Sequence, residues 1–192
     1  MTLLILGLIL FLGVHSIRIV ADDWRSAAIA RIGAAPWRLV YSLLSLAGLA
    51  LLIIGYGQAR QAPVLLWMPL TSLRHPAALL MLVSFILIVA GNTPGNAIRA
   101  KLRHPMILGV KLWAFTHLLV NHTLADVVLF GSLLVWAVLA FRAARRRDRA
   151  AGNPPLPSQT WRTVATVAVG FVLWAVFLIK GHLALIGVSP LP

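Results

Sequence analysis

Apolar residues in this chain come in long blocks, separated by short stretches that hold most of the arginine, proline and turn-forming residues. The first block covers residues 2–20 and is interrupted by Gly7, Gly13 and His15. Residues 21–35 are polar and basic, with Asp22, Asp23, Arg25 and Arg31, and carry enough alanine and isoleucine to lie as an interfacial helix. Pro36 starts a second block that ends near Tyr56, with Trp37 and Tyr56 placed as interfacial aromatics at its two ends. Residues 58–72 hold only a short apolar piece between Pro63 and Pro69, too short to cross a bilayer and read as a surface or re-entrant segment. A third block, 76–90, follows Arg74-His75-Pro76 and stops at the turn signal Gly91-Asn92-Thr93-Pro94-Gly95-Asn96. A fourth opens at Arg103-His104-Pro105 and reaches Val120, and a fifth, 124–141, follows a tight hairpin. The last block is 164–186.

These blocks approach the roughly 20 residues that span a bilayer. They predict an all-α, polytopic membrane helix bundle of about six transmembrane helices, forming one integral-membrane domain over 1–192. Within it, 1–141 is a core of five helices, 142–160 a basic and then proline-rich connector expected to be disordered, and 161–192 a C-terminal helix.

Composition agrees. The chain is 60% hydrophobic and only 11% charged, against about 25% charge in soluble domains. It has no cysteine, which excludes disulfides, thiolate metal sites and cysteine nucleophiles. The net charge of +13 does not indicate nucleic acid, because the arginines stand at the ends of apolar blocks and not along one groove or face. Basic-rich connections (Arg18, Arg25, Arg31 and Arg38; Arg99, Lys101 and Arg103; Arg142 to Arg149 and Arg162) alternate with basic-poor ones. That alternation places the odd connections in the cytoplasm and both termini outside. No cleavable signal peptide is expected, since no basic region precedes the first block.

The candidate chemistry lies in the histidines. His117 sits deep in the fourth block, sharing a helix face with Trp113, Ala114 and Asn121, and Ala114 leaves room for a flat group beside the imidazole. His15 lies in the first block, with Arg18 one turn further on. The simplest state of His15 is a neutral imidazole bonded to a backbone carbonyl. The sharper reading pairs it with His117 across a b-type haem, the usual bis-histidine arrangement in membrane bundles. Arg18, Arg103 and Lys111 are then placed to meet the propionates. The depths of the two histidines match only if the first helix continues past Arg18 toward Asp22, because His117 is about 18 Å above the start of its own helix. His75 and His104, each before a proline, are expected to cap helix starts, and His122 and His182 to be solvated. Neither a zinc motif nor a phosphate-binding glycine loop is present.

The residues Gly13-Val14-His15-Ser16, Arg103-His104-Pro105, the stretch L-W-A-F-T-H-L-L-V-N ending at Asn121, and L-F-G-S-L-L-V-W ending at Trp136 resemble the NnrU family of membrane proteins. That family is associated with nitrite and nitric oxide reduction, and its superfamily includes the haem b enzyme 15-cis-zeta-carotene isomerase. The resemblance covers most of residues 1–150. It implies haem b as cofactor, His15 and His117 as its iron ligands, a bacterial inner-membrane location with both termini periplasmic, and a lipid environment with nitric oxide or a lipophilic polyene as ligand. The isomerase has a cysteine where this chain has Ala114, so a redox-driven ligand exchange is excluded here and haem-dependent cis-trans isomerisation is the second reading. A third is an S-adenosylmethionine-dependent membrane methyltransferase, whose R-H-P-x-Y-x-G stretch is similar to R-H-P-M-I-L-G at Arg103, but this C-terminal segment lacks that group's acidic residues.

Overall fold

In a segment without water, peptide N–H and C=O groups must be satisfied within the chain, and the helix does this for every residue of an apolar block. The structure is a computed structural model that describes residues 1–68 and 71–191. Its helices are α1 (Thr2–Val20), α2 (Asp22–Ile32), α3 (Ala34–Ala59), α4 (Arg74–Asn92), α5 (Ala97–Leu102), α6 (Pro105–Val120), α7 (Leu124–Ala150) and α8 (Thr160–Ile186). Near its end α8 contains a π-helical turn, Phe177–Gly181. Five helices (α1, α3, α4, α7 and α8) are long and apolar enough to cross a membrane, and α6 is a shorter apolar one. The chain is a multi-pass helical membrane bundle, with no strand among the described residues.

The helix ends follow local chemistry. Gly33 at φ 89° separates α2 from α3. Asn96 caps α5 by accepting from the Arg99 amide at 2.7 Å. Thr123 and Asp126 form a reciprocal capping box at the start of α7. The Asp126 carboxylate is buried and also accepts from the Tyr56 hydroxyl at 2.5 Å, tying α3 to α7.

Two expectations are corrected. The first half of the presumed disordered connector is helical, because α7 runs on to Ala150. Alanine and arginine are strong helix formers, and Ala143 and Ala144 are buried. The first helix passes Arg18 but does not run on unbroken to Asp22. It stops at Val20, and Ala21 (φ −143°, ψ 45°) breaks the path before α2 begins.

The helices pack as a ribbon in the order α3, α1, α7, α6, α4, α8. Its edges approach each other at the end that carries the N-terminus, where Arg60 after α3 donates to the Ile186 carbonyl of α8 at 2.8 Å. At the same end the segment after α3 covers the α6–α7 turn, with the Leu66 amide donating to His122 O and the Leu124 amide to Val64 O, both at 2.9 Å. The opposite end is rich in arginine and is held by two carboxylates. Asp22 meets Arg18, Arg25 and Arg147, while Asp148 meets His104 and Arg145.

Backbone contact is closest where glycine faces a neighbouring helix. A Cβ at Gly55 of α3 would stand 2.2 Å from the Leu4 amide nitrogen of α1, and one at Gly109 of α6 would stand 3.0 Å from the Ser84 carbonyl oxygen of α4. Ser84 also donates its hydroxyl to the Gly109 carbonyl at 2.8 Å. Gly131 of α7, by contrast, has nothing within 4 Å of such a Cβ.

Replacing Gly55 by alanine is therefore predicted to destabilise the detergent-solubilised protein by about 2 kcal/mol or more, because the obstructing atoms are backbone. Gly131→Ala should be neutral, or stabilising by up to about 1 kcal/mol. Thermal unfolding of the two variants side by side checks this, and equal melting temperatures would contradict the α1–α3 contact.

Candidate functional site

His15 and His117 are both held by their own helices. His15 Nδ1 is 2.7 Å from the Phe11 carbonyl, and His117 Nδ1 is 2.8 Å from the Trp113 carbonyl. A carbonyl oxygen only accepts, so in each ring Nδ1 carries the proton and Nε2 keeps its lone pair. Metal-binding histidines have this arrangement, with the second nitrogen anchored to a backbone carbonyl. It is also the neutral, carbonyl-bonded imidazole expected as the simplest state of His15.

Their surroundings differ. The His15 ring lies among Phe11, Tyr41 and Trp136, at centroid separations of 4.2, 5.3 and 5.9 Å. His117 stacks on Phe130 at 4.6 Å and borders Trp113 at 4.8 Å. Its other side lines a half-open cavity of about 150 Å³ enclosed by α4, α6, α8 and the tail after Gly187.

The structure does not bring His15 and His117 together. Helix α1 packs on α3 and α7, and α6 packs on α4 and α7, so that α7 stands between them. His15 meets α7 at Trp136 and His117 meets it at Phe130. Those contacts are six residues, or about 9 Å, apart along the helix. One iron held between two imidazoles requires their Nε2 atoms about 4 Å apart, with metal–nitrogen bonds of roughly 2 Å each.

The basic residues expected beside them are equally dispersed. Arg18 is exposed at the arginine-rich end and faces Asp22. Arg103, at φ 64°, donates to the Pro154 carbonyl at 2.8 Å. Lys111 is exposed, and Ala114 is fully buried and does not line the cavity that His117 borders. The expected capping histidines are corrected too. His104 is at the N-cap of α6 without a capping bond, and its Nε2 pairs with Asp148 of α7 at 3.0 Å instead. His75 is an exposed residue within α4, whose N-cap is Leu73.

The cavity collects residues that the sequence did not single out. His182, expected to be solvated, is half-buried and lines it, as do Arg74 at its rim, Asn121, and the apolar Met81, Phe85, Trp174 and Phe177. Trp174 is pinned by donating to the Ala78 carbonyl at 2.9 Å, which ties α8 to α4. Thr116 also lines the cavity, is 1% exposed, and has a hydroxyl with no hydrogen-bond partner among the described residues. The only sequence signal for His182 and Arg74 was position. Both stand at the basic-poor end of their helices, the end where His117 also lies.

The chemistry of this cavity fits the iron of a haem better than a bare ion. Among the described residues no group of three or more His, Cys, Asp or Glu stands together, so a zinc-type shell of three or four protein ligands is not available. A porphyrin supplies four nitrogens itself, and aromatic and aliphatic walls suit its faces. The enclosed volume, about 150 Å³, is that of a cavity that takes a benzene-sized guest, so a macrocycle would have to extend beyond it.

A family model described as NnrU protein matches residues 3–190 of the chain. No curated protein and no solved structure matches it.

The orphan hydroxyl gives a stability prediction. Thr116→Val keeps the shape and removes a buried unpaired group, so it should leave the folded protein unchanged or stabilise it by roughly 1 kcal/mol. A clear loss of thermal stability in detergent would show that Thr116 has a partner.

Proposed function

The chain belongs to the NnrU family, and on that premise we propose that it is a haem-b-binding protein of the bacterial inner membrane, serving nitrite and nitric oxide reduction or membrane redox handling. The observation that supports this most is the state of His117. Its Nδ1 is fixed by the Trp113 carbonyl, its Nε2 has no hydrogen-bond partner among the described residues, and its ring borders a mainly apolar cavity inside the bundle. Bound haem b supplies one-electron chemistry and an iron site for a small ligand such as nitric oxide.

The chain's own groups have separate tasks around that centre. His117 holds the iron, oriented by its backbone bond and by the Phe130 ring stacked on it. Arg74, exposed at the rim, is placed to meet a carboxylate while staying in contact with water. Met81, Phe85, Trp174 and Phe177 exclude water and provide the dispersion contacts a flat aromatic group needs. The distribution of basic residues supports a cytoplasmic arginine-rich end, and in that orientation the cavity lies toward the periplasmic side. His15, in its aromatic surround on the other flank of α7, has no part in this site.

The test is an absorption spectrum of the detergent-purified protein, oxidised and dithionite-reduced, after growth with haemin. The wild type should show a Soret band and sharp reduced α and β bands. His117→Ala should lower haem content by more than about tenfold, the order of loss that weakening a metal site imposes. His15→Ala should retain the haem. A wild-type protein with no Soret band, even after haemin is supplied, contradicts the proposal.

A further inference from the structure

Helix α7 is longer than the membrane requires. Its apolar part, residues 124–141, rises about 27 Å, close to the roughly 30 Å of a bilayer's hydrocarbon core. Residues 142–150 continue the same helix and carry Arg142, Arg145, Arg146, Arg147 and Arg149. These arginines do not all face the same way. Arg145 is turned to Asp148 and Arg147 to Asp22. Arg142, Arg146 and Arg149 are exposed, and their spacing of four and then three residues puts them on one face, within an arc of about 60°. Among the described residues none of these three meets a carboxylate.

The same face continues down the helix. Leu139, Val135 and Leu124 lie on it and are 48%, 61% and 36% exposed, and a Cβ at Gly131 would meet nothing within 4 Å. The opposite face carries the buried Leu133, Ala137, Ala140 and Ala144. The arginine stripe therefore stands at the head of a surface that no other helix covers and that borders lipid.

We infer that this face of α7 is a binding site for an anionic phospholipid, with the phosphate held by the arginine stripe and an acyl chain laid along Leu139, Val135 and the notch at Gly131. The headgroup layer of one leaflet is about 5–7 Å deep. Arg142 stands at its inner boundary, and Arg146 about 6 Å further out. Arg149, about 10 Å out, reaches back on its flexible stem. Each guanidinium offers a planar donor fork that matches phosphate oxygens. The excess of basic residues that fixes membrane orientation does not require them to share a face. An acidic protein would need the charges alone, whereas a lipid also needs the apolar track that runs directly below them. The chain has 17 Lys and Arg against 4 Asp and Glu, so most of its positive charge is neutralised from outside. The inference is independent of haem.

The experiment titrates the detergent-purified full chain with phosphatidylglycerol or phosphatidylcholine and counts bound lipids by native mass spectrometry. Three proteins are compared: wild type, Arg142→Gln/Arg146→Gln/Arg149→Gln, and the charge-matched control Arg31→Gln/Arg38→Gln/Lys101→Gln, whose positions are also exposed. Wild type should bind phosphatidylglycerol in preference to phosphatidylcholine. A basic side chain at an anionic surface contributes about fivefold in affinity, so the stripe variant should bind phosphatidylglycerol roughly a hundredfold more weakly. The control should stay within about fivefold of wild type. The three positions are exposed, so unchanged helicity by circular dichroism is expected, and Arg142→Lys/Arg146→Lys/Arg149→Lys should restore most of the binding. Equal affinity for the two lipids overturns the inference, as does an equal loss in the stripe variant and the control, which would reduce the effect to net charge. Inorganic phosphate that displaces the lipid at equal concentration would show that the site reads a free anion and not a lipid. A stripe variant that binds phosphatidylglycerol as wild type does would leave the arginines to an acidic protein partner.

Discussion

Helices inside a bilayer gain nothing from leaving lipid for one another by the hydrophobic effect, so they associate where their backbones can come close. In this chain that condition is met at a small set of positions. Gly7, Gly48 and Gly55 bring α1 against α3, Gly109 brings α6 against α4, and Gly170 brings α8 against α4. The alanines Ala125, Ala137, Ala140, Ala143 and Ala144 give α7 a buried face along its length. These contacts set the order of the ribbon. Because each interior helix then has two neighbours, they also decide which side chains can meet.

The consequence for chemistry is direct. With α7 between α1 and α6, the two mid-helix histidines most visible in the sequence face different neighbours. With α4 between α6 and α8, His117 and His182 border one cavity. All three rings share one device, a proton fixed on Nδ1 by a backbone carbonyl. The carbonyl belongs to the preceding turn for His15 and His117, and to the returning tail for His182. A neutral imidazole is costly in an apolar interior unless its polar atoms are used. Each ring has one nitrogen satisfied in this way.

Much of the architecture was legible in the sequence. Uninterrupted apolar blocks, proline at helix starts and arginine at helix ends mark the spans, and the NnrU-like stretches around His117 mark the family. Helix adjacency was not legible, because small residues are scattered through every block and nothing in the linear pattern says which of them face a partner. The helical extension of α7 was missed because Arg142 to Arg149 read as a solvated charge run, although Ala143 and Ala144 give that stretch a face to bury. His104 was assigned to a cap because proline follows it, whereas its partner Asp148 lies 44 residues away and has no local signature. His182 was set aside for the same kind of reason. Its contact with the Val188 carbonyl depends on a tail that turns back at Gly187, and no periodicity announces such a turn.

The most direct measurement of the central claim is anomalous diffraction at the iron edge from crystals of the haemin-loaded protein grown in lipid. The account predicts one iron peak per chain, within bonding distance of His117 Nε2, in the cavity bounded by α4, α6 and α8. An iron peak between α1 and α6, with α7 displaced and His15 bound, would contradict it.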